Sequence, residues 1–222
     1  MGPYDDRQQA GVELALALDR YRDQDCVILA IPRGGVVVGY EVAQALDCDL
    51  DVIVPRKIGA PNQPELAIGA VATWGDHQII IDEHAVRALG VSSDYLEQEA
   101  QQQSVEANRR LLAYRGTLDP PEVEGRTVLL VDDGIATGYT TRAAAIAVRH
   151  LDPSEVVLAV PVGPPESVRT LRPYVDGLVC LRTPEPFLAV GYWYRDFAQV
   201  SDEEVVELLR LARESRAARR PG

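Results

Sequence analysis

Cysteine, long apolar runs and positive charge are all scarce in this chain of 222 residues. Its three cysteines, Cys26, Cys48 and Cys180, are too few and too scattered for a disulfide framework, and each adjoins an apolar run, so we expect buried free thiols. No apolar stretch approaches the roughly 20 residues of a membrane span, and the polar start Met1-Gly2-Pro3-Tyr4 lacks the apolar core of a signal peptide. These absences predict a reduced, cytoplasmic protein with no membrane partner.

The shortage of positive charge bears on the ligands. Lysine and arginine together number 22, against 34 aspartates and glutamates, which gives a net charge of -12. A nucleic-acid-binding protein usually presents a basic face, so no nucleic-acid partner is expected. A small anionic ligand is still compatible with this balance, because a few local cations can outweigh the overall field. Hydrophobic residues make up 46% of the chain, enough for a substantial core in one domain over residues 1–222.

Short apolar runs alternate with helical patterns along the chain. Continuous apolar character is typical of strands that are covered on both faces. The predicted strands are 27–31, 51–55, 127–131, 156–160 and 177–181. Helices are predicted over 36–46, 94–115 and 141–151, with one more opening at Pro164-Pro165 and a last one capped by Ser201. The alternation predicts an α/β fold with a doubly wound, mainly parallel five-stranded sheet.

Two segments fall outside this alternation. Residues 58–81 contain the turn sequence Pro61-Asn62-Gln63-Pro64 among apolar runs, which predicts a projecting loop followed by an antiparallel hairpin. Because 59–65 has two prolines, a glycine and little apolar anchoring, we expect it to close over a bound ligand. The arginine-rich end, 213–222, is predicted to be a flexible tail.

The strongest functional signal is the loop Asp132-Asp133-Gly134-Ile135-Ala136-Thr137-Gly138-Tyr139-Thr140. It follows a buried strand and opens a helix, so it lies at the carboxyl end of the sheet, where open α/β folds bind ligands. Gly138 allows the backbone to approach a phosphate closely, and the helix N-terminus offers unpaired N–H donors. Asp132 and Asp133 would repel that phosphate, but they suit the two hydroxyls of a ribose. The loop therefore predicts a site for a phosphorylated sugar.

Residues 128–140 resemble the phosphoribosyl pyrophosphate (PRPP) signature of type I phosphoribosyltransferases, which ends in two acidic residues, variable apolar positions and Thr-Gly-Xaa-Thr. The resemblance implies that Asp132 and Asp133 are catalytic. It also implies ligand contacts from Gly134, Ile135, Ala136, Thr137, Gly138, Tyr139 and Thr140. The sequence departs from the signature at Gly134, where valine or isoleucine is usual, and at Ala136, where enzymes acting on 6-oxopurines carry aspartate. A hypoxanthine or guanine acceptor is therefore not implied.

The resemblance covers most of the chain. Pro32-Arg33-Gly34-Gly35 is similar to the family's pyrophosphate loop, which implies a catalytic Arg33 and ligand contacts from Gly34 and Gly35. Arg56-Lys57 resembles a basic pair that several members place on the pyrophosphate, which implies that Arg56 binds the ligand and Lys57 is catalytic. The family's sheet order puts strands 27–31 and 127–131 side by side, so both anion loops open at one point.

The activity that the resemblance implies is transfer of a 5-phosphoribosyl group to a nitrogen nucleophile, a nucleobase-like heterocycle, with release of pyrophosphate. Mg²⁺ is implied as a cofactor carried by the pyrophosphate; the histidines show no metal-ligand spacing, so no metal site on the protein is expected. Dimers are common in the family, so a homodimer is open to this chain. Two other functions also stay open: a regulatory binder of PRPP or a nucleotide that catalyses nothing, and a hydrolase that uses water as the acceptor.

Aromatic residues cluster after the last predicted strand. The chain has nine tyrosines, two tryptophans and two phenylalanines, and five of these lie close together: Phe187, Tyr192, Trp193, Tyr194 and Phe197. One interpretation is a hood over 184–200 in which Tyr192 and Trp193 stack on a planar acceptor. The other is a small satellite core under the final helix, and the pattern does not decide between them.

Overall fold

The computed structural model describes residues 2–74 and 76–219, without the side chains of 64, 65, 73, 74 and 76–80. In this part of the chain the strands are β1 (Cys26–Ala30), β2 (Asp49–Val52), β3 (Arg56–Ala60), β4 (Gln63–Trp74), β5 (Asp76–Ile81), β6 (Thr127–Val131), β7 (Glu155–Val162) and β8 (Gly177–Arg182). The helices are α1 (Arg7–Ala17), α2 (Gly34–Leu46), α3 (Glu83–Ala88), α4 (Ser93–Arg115), α5 (Tyr139–Arg149), α6 (Pro165–Leu171) and α7 (Asp202–Arg219).

Five strands form a parallel sheet in the order β2-β1-β6-β7-β8. Strand β1 pairs with β6 from Cys26 opposite Thr127 to Ala30 opposite Val131, so the two strands end level with each other. The predicted α/β fold and the predicted neighbours β1 and β6 are therefore confirmed.

Helices cover both faces of this sheet. Along β6, Leu129 and Val131 contribute to one apolar core, whereas Val128 and Leu130 contribute to the other. The first core includes side chains from α1, α2, α4 and α7, and the second includes side chains from α5 and α6. Two-sided burial explains why the central strands are apolar without alternation.

Two helices were not predicted, and α4 begins one residue earlier than predicted, at Ser93. Helix α1 begins after Asp6, whose carboxylate accepts a hydrogen bond from the Gln9 N–H at 2.8 Å, and α3 begins after Asp82. Helix α4 is capped by Ser92 and ends at Gly116, which adopts the left-handed conformation with a φ of 75°. None of the described helices combines the length and the apolar composition that crossing a membrane requires.

Residues 58–81 contain the predicted antiparallel hairpin, formed by β4 and β5, which belongs to a second sheet that also includes β3. Strands β3, β4 and β5 are antiparallel in that order, so the sheet begins earlier, at Arg56. Ile58 and Ile68 are fully buried against Leu96 and Ala100 of α4. Within the predicted loop at 59–65, residues 59–60 belong to β3 and 63–65 to β4, and only 61–62 connect the two strands. Whether this segment closes over a ligand stays a prediction.

Strand β2 lies two residues earlier than predicted, at the edge of the main sheet. Its acidic side chains alternate with apolar ones. The strand tolerates these charges because Asp49 pairs with Arg126 at 2.7 Å and Asp51 pairs with Arg115 at 2.8 Å. An edge strand can carry such charges outward.

The expectation of three free thiols is wrong for Cys26 and Cys48. The parallel pairing of β1 and β2 brings them together, with Cα atoms 5.6 Å apart, and they form a disulfide. Cys180 is free, and burial raises the pKa of its thiol to about 11.

The predicted tail at 213–222 is helical over its described part, residues 213–219. Helix α7 continues to Arg219, because Arg216 pairs with Asp47 and Asp49, each at 3.0 Å, and Arg219 reaches Asp47 at 3.3 Å. Residues 220–222 lie outside the described chain.

Candidate active site

Two loops meet where β1 and β6 end. The loop after β1 leads through Pro32 and Arg33 into α2, and the loop after β6 runs from Asp132 to Gly138 before α5. They are in direct contact: a Cβ added to Gly35 would lie 2.9 Å from the Asp132 Cα and 2.9 Å from the Val131 carbonyl oxygen. The two loops predicted to bind anions therefore lie next to each other.

The loop after β6 ends in a set of free donors. Helix α5 begins at Tyr139, two residues earlier than predicted. Within the described chain, no acceptor receives a hydrogen bond from the backbone N–H groups of residues 136–141. Thr137 and Thr140 are exposed beside them. Free N–H groups at a helix start attract an anion, since the helix dipole adds to their charge.

Gly138 matters for a reason other than the predicted one. It adopts the left-handed conformation with a φ of 81°, and a Cβ there would lie 3.2 Å from the Leu171 side chain. The added atom would face the protein rather than the cradle of N–H groups. Glycine is therefore required because the turn needs a positive φ, which other residues rarely adopt.

The two aspartates are enclosed and differ in their partners. The Oδ1 atom of Asp132 accepts a hydrogen bond from the Asp133 N–H at 2.8 Å. The Oδ2 atom of Asp133 pairs with Nε of Arg7 at 2.8 Å, and the Tyr194 hydroxyl donates to the Asp133 carbonyl oxygen at 2.5 Å. Burial and the Asp133 carboxylate raise the pKa of Asp132 well above its ordinary value. Burial also raises the pKa of Asp133, and Arg7 opposes that rise.

Arg33 is held beside these loops with about a third of its side chain (32%) exposed. Its Nη1 atom lies 3.9 Å from Oδ1 of Asp202, the first residue of α7. The Tyr114 hydroxyl donates to the same carboxylate oxygen at 2.5 Å. Arg33 therefore has a carboxylate partner and also an exposed part that an anion could reach.

The side chains of Arg56 and Lys57 do not face the same direction. They are consecutive residues of β3, so their side chains point to opposite faces of the second sheet. Nε of Arg56 donates to Oε1 of Gln103 on α4 at 3.0 Å, and burial together with nearby Arg110 lowers the pKa of Arg56. The structure thus turns Arg56 towards α4.

The aromatic segment is mostly a satellite core. Phe187, Val190 and Trp193 pack around the buried residues Tyr4, Ala10, Val162 and Tyr194. Tyr192 and Phe197 are the exceptions, because 71% of Tyr192 and 37% of Phe197 are exposed. The segment also explains Gly134: a Cβ there would lie 2.6 Å from Cγ1 of Val190, so a valine or isoleucine would not fit.

Two cationic residues at the site were not singled out from the sequence. Arg7 comes from α1, and Arg142 lines a cavity of about 600 Å³ together with Thr137 and Gly138. The Arg142 guanidinium lies 5.4 Å from the ring centre of Tyr174. Neither arginine belongs to a motif. The only local signal was the position of Arg142 in the first turns of the helix that follows the loop.

Comparison with known proteins gives a consistent result. The family model for the phosphoribosyl transferase domain matches residues 6–187. Two Mycobacterium tuberculosis proteins, from strains CDC 1551 and H37Rv, are named as predicted phosphoribosyl transferases. Each is 43% identical over 206 residues, which cover 93% of this chain and 46% of the relative. The chain thus spans about half the length of these curated relatives.

A solved structure agrees with the fold. A crystal structure of a Thermus thermophilus protein matches with a TM-score of 0.82 at 42% identity, covering 93% of this chain and 97% of that one. The predicted family resemblance is confirmed by the match over residues 6–187. The chain belongs to the phosphoribosyl transferase domain family, a family of pentosyltransferase-type enzymes.

Proposed function

We propose that this chain transfers the 5-phosphoribosyl group of PRPP to a nitrogen nucleophile and releases pyrophosphate. The observation that carries the proposal is the set of free N–H groups at 136–141, directly beside Asp132, Asp133 and the Arg33 loop. The N–H groups suit the 5-phosphate, the aspartates suit the ribose hydroxyls, and Arg33 suits the pyrophosphate. A single PRPP molecule would then contact the N–H groups, the aspartates and Arg33.

Catalysis in this arrangement consists of positioning and charge neutralisation. The bond from C1 to the pyrophosphate oxygen breaks as the acceptor nitrogen bonds to C1, so positive charge develops on the sugar and negative charge on the leaving group. Asp132 and Asp133 hold the ribose, and Arg33 stabilises the departing pyrophosphate. Mg²⁺, as part of the substrate, would be carried by the pyrophosphate and would supply further charge neutralisation there. Lys57 stays a proposed catalytic residue, and Arg56 a proposed ligand contact.

The acceptor is proposed to be a planar heterocycle that lies near exposed Tyr192. A tyrosine ring can stack on any such base, which is worth about 1–3 kcal/mol. Trp193 is half-buried in the satellite core, so its stacking role is proposed only for its exposed edge.

We test the reaction by measuring pyrophosphate release from PRPP and Mg²⁺ with a panel of nitrogen heterocycles and with none. Release that depends on one heterocycle is the expected result. Release without any heterocycle would indicate a hydrolase, and binding of PRPP without release would indicate a sensor. Failure to bind PRPP would contradict the proposal altogether.

Replacing Arg33 by alanine should weaken binding of PRPP more than binding of ribose 5-phosphate. A hydrogen bond to a charged group is worth about 1.5–3 kcal/mol, which corresponds to a loss of about 10- to 150-fold for the ligand with the pyrophosphate. Calorimetric titration of both ligands measures the difference. Arg22→Ala is the control, because Arg22 pairs with Asp19 before β1, at the opposite end of that strand. Equal losses for both ligands would mean that Arg33 does not face the pyrophosphate.

A further inference from the structure

Asp133 is enclosed by residues from both ends of the chain. Arg7 is the first residue of α1, and Tyr194 and Phe197 follow β8. These two segments are joined, because the Tyr4 N–H donates to the Trp193 carbonyl oxygen at 2.8 Å and the Arg195 N–H donates to the Tyr4 carbonyl oxygen at 2.8 Å. The joined segments contact the loop after β6, which contains Asp132 and Asp133.

Arg7 has little freedom to move in this arrangement. Its Nη1 atom donates to the Ala198 carbonyl oxygen at 2.8 Å, while Nε contacts Oδ2 of Asp133 at 2.8 Å. Its guanidinium carbon lies 3.9 Å from the ring centre of Phe197, a cation–π contact. Only 11% of the Arg7 side chain is exposed. The arginine is therefore fixed by a carbonyl, an aromatic ring and a carboxylate together.

The ion pair also shapes the neighbouring loop. A Cβ added to Gly34 would lie 1.9 Å from Oδ2 of Asp133 and 2.7 Å from Nε of Arg7. A residue without a side chain at 34 is thus needed where Arg7 and Asp133 meet. The pair therefore lies against the Arg33 loop as well as within the aspartate loop.

Arg7 contacts only one of the two carboxylate oxygens of Asp133. A carboxylate has two oxygens, each of which can accept more than one hydrogen bond. Nε of Arg7 holds Oδ2, and no cation of the described chain pairs with Oδ1. The titratable groups that face Asp133 are Arg7 from α1, Asp132 from its own loop and Tyr194 from the segment after β8. Arg7 is the cation among them.

We infer that Arg7 is a positioning residue for ligand binding: it fixes Oδ2 of Asp133 beside Asp132 and leaves Oδ1 to accept a ribose hydroxyl. This inference rests on the proposed function, since it presumes a phosphoribosyl ligand. A purely structural ion pair is the alternative. Such a pair would affect stability without affecting how ligand binding depends on pH, and the two roles can therefore be separated.

The test compares Arg7→Met and Arg7→Lys with wild type by titrating PRPP with Mg²⁺, ribose 5-phosphate and inorganic pyrophosphate from pH 5.5 to 9. In R7M we expect about tenfold or greater loss of affinity for both sugars near pH 6, from the weakened charged hydrogen bond. Without the opposing cation, the pKa of Asp133 rises, so the carboxylate is protonated earlier as the pH is lowered. Sugar binding should therefore be lost at a higher pH than in wild type when the pH is lowered from 9 to 5.5. Binding of pyrophosphate alone should not change, and R7K should bring the pH profile back towards wild type.

The matched control is Arg115→Met. Arg115 pairs with Asp51 at 2.8 Å, its side chain is 6% exposed, and the pair lies outside the two loops. R115M should lower stability while leaving the pH profile of sugar binding unchanged. If R7M behaves like R115M, or if R7K gives no recovery, the positioning role is wrong. If the wild-type protein binds neither sugar, the proposed function itself fails and the role of Arg7 with it.

Discussion

Replacing Asp132 by asparagine is expected to weaken PRPP binding by about 10- to 150-fold while making the folded protein more stable at pH 8. The loss of affinity follows from the value of a charged hydrogen bond to a ribose hydroxyl, about 1.5–3 kcal/mol. The gain in stability follows from burial beside Asp133, which raises the pKa of Asp132. Asparagine has no charge to bury, and its Oδ1 can still accept the Asp133 N–H.

The raised pKa of Asp132 determines how the stability gain of D132N depends on pH. The unfolded chain loses the Asp132 proton near the ordinary carboxyl pKa of about 3.9, whereas the folded protein keeps it to higher pH. Ionisable Asp132 therefore reduces the free energy of unfolding as the pH rises from that value through the folded pKa. The advantage of D132N should be largest at pH 8 and should shrink towards pH 4, as measured by urea unfolding.

Asp133→Asn should lose affinity to a similar extent but should be less stable than D132N. It deprives Arg7 of its direct partner at 2.8 Å, a charged hydrogen bond worth about 1.5–3 kcal/mol. Asp51→Asn is the control, because it removes a carboxylate from an ion pair of the same length outside the loops and should not alter affinity. Unchanged PRPP affinity in both loop variants would contradict the assignment of the ribose site to Asp132 and Asp133.

Gly35→Ala should abolish most of the activity, with PRPP-dependent pyrophosphate release falling by about 100-fold, the loss that a displacement of about 1 Å can produce. The added Cβ would meet the Asp132 Cα and the Val131 carbonyl oxygen, each at 2.9 Å. Both are backbone atoms at the end of β6, so neither can rotate away. The loop after β1 and the loop after β6 would have to separate, and a ligand could no longer contact both.

The matched control lies in the same helix. A Cβ added to Gly39 of α2 would lie 3.1 Å from the Ala30 side chain and 3.3 Å from the Ile28 side chain, away from the loops. G39A should change stability by about 1–3 kcal/mol through overpacking and should leave ligand affinity unchanged. Equal activity in G35A and wild type would mean that close contact between the loops is not needed.

The sequence alone was sufficient to predict the loop after β6, its free N–H groups and the sheet that presents them. Residues 127–149 are contiguous, so strand, loop and helix follow from local composition, and the free N–H groups follow from where the helix starts. Apolar runs without alternation likewise indicated a sheet covered on both faces. Charged edge strand β2 was displaced in the prediction, because its first residue, Asp49, is accommodated by Arg126, which is far away along the chain.

Only the tertiary structure determined which distant residues contact the aspartates of the candidate site. Arg7 and Asp133 are 126 residues apart, and no local pattern relates them, because their contact depends on how α1 and the segment after β8 pack together. The disulfide between Cys26 and Cys48 likewise depends on strand neighbours. Gly34, Gly35 and Gly134 were chosen from the sequence for a ligand, yet the atoms that leave them no room for a side chain belong to distant helices, strands and loops of the protein. Contacts between distant segments are set by sheet order and packing, and these emerge only when the whole chain is folded.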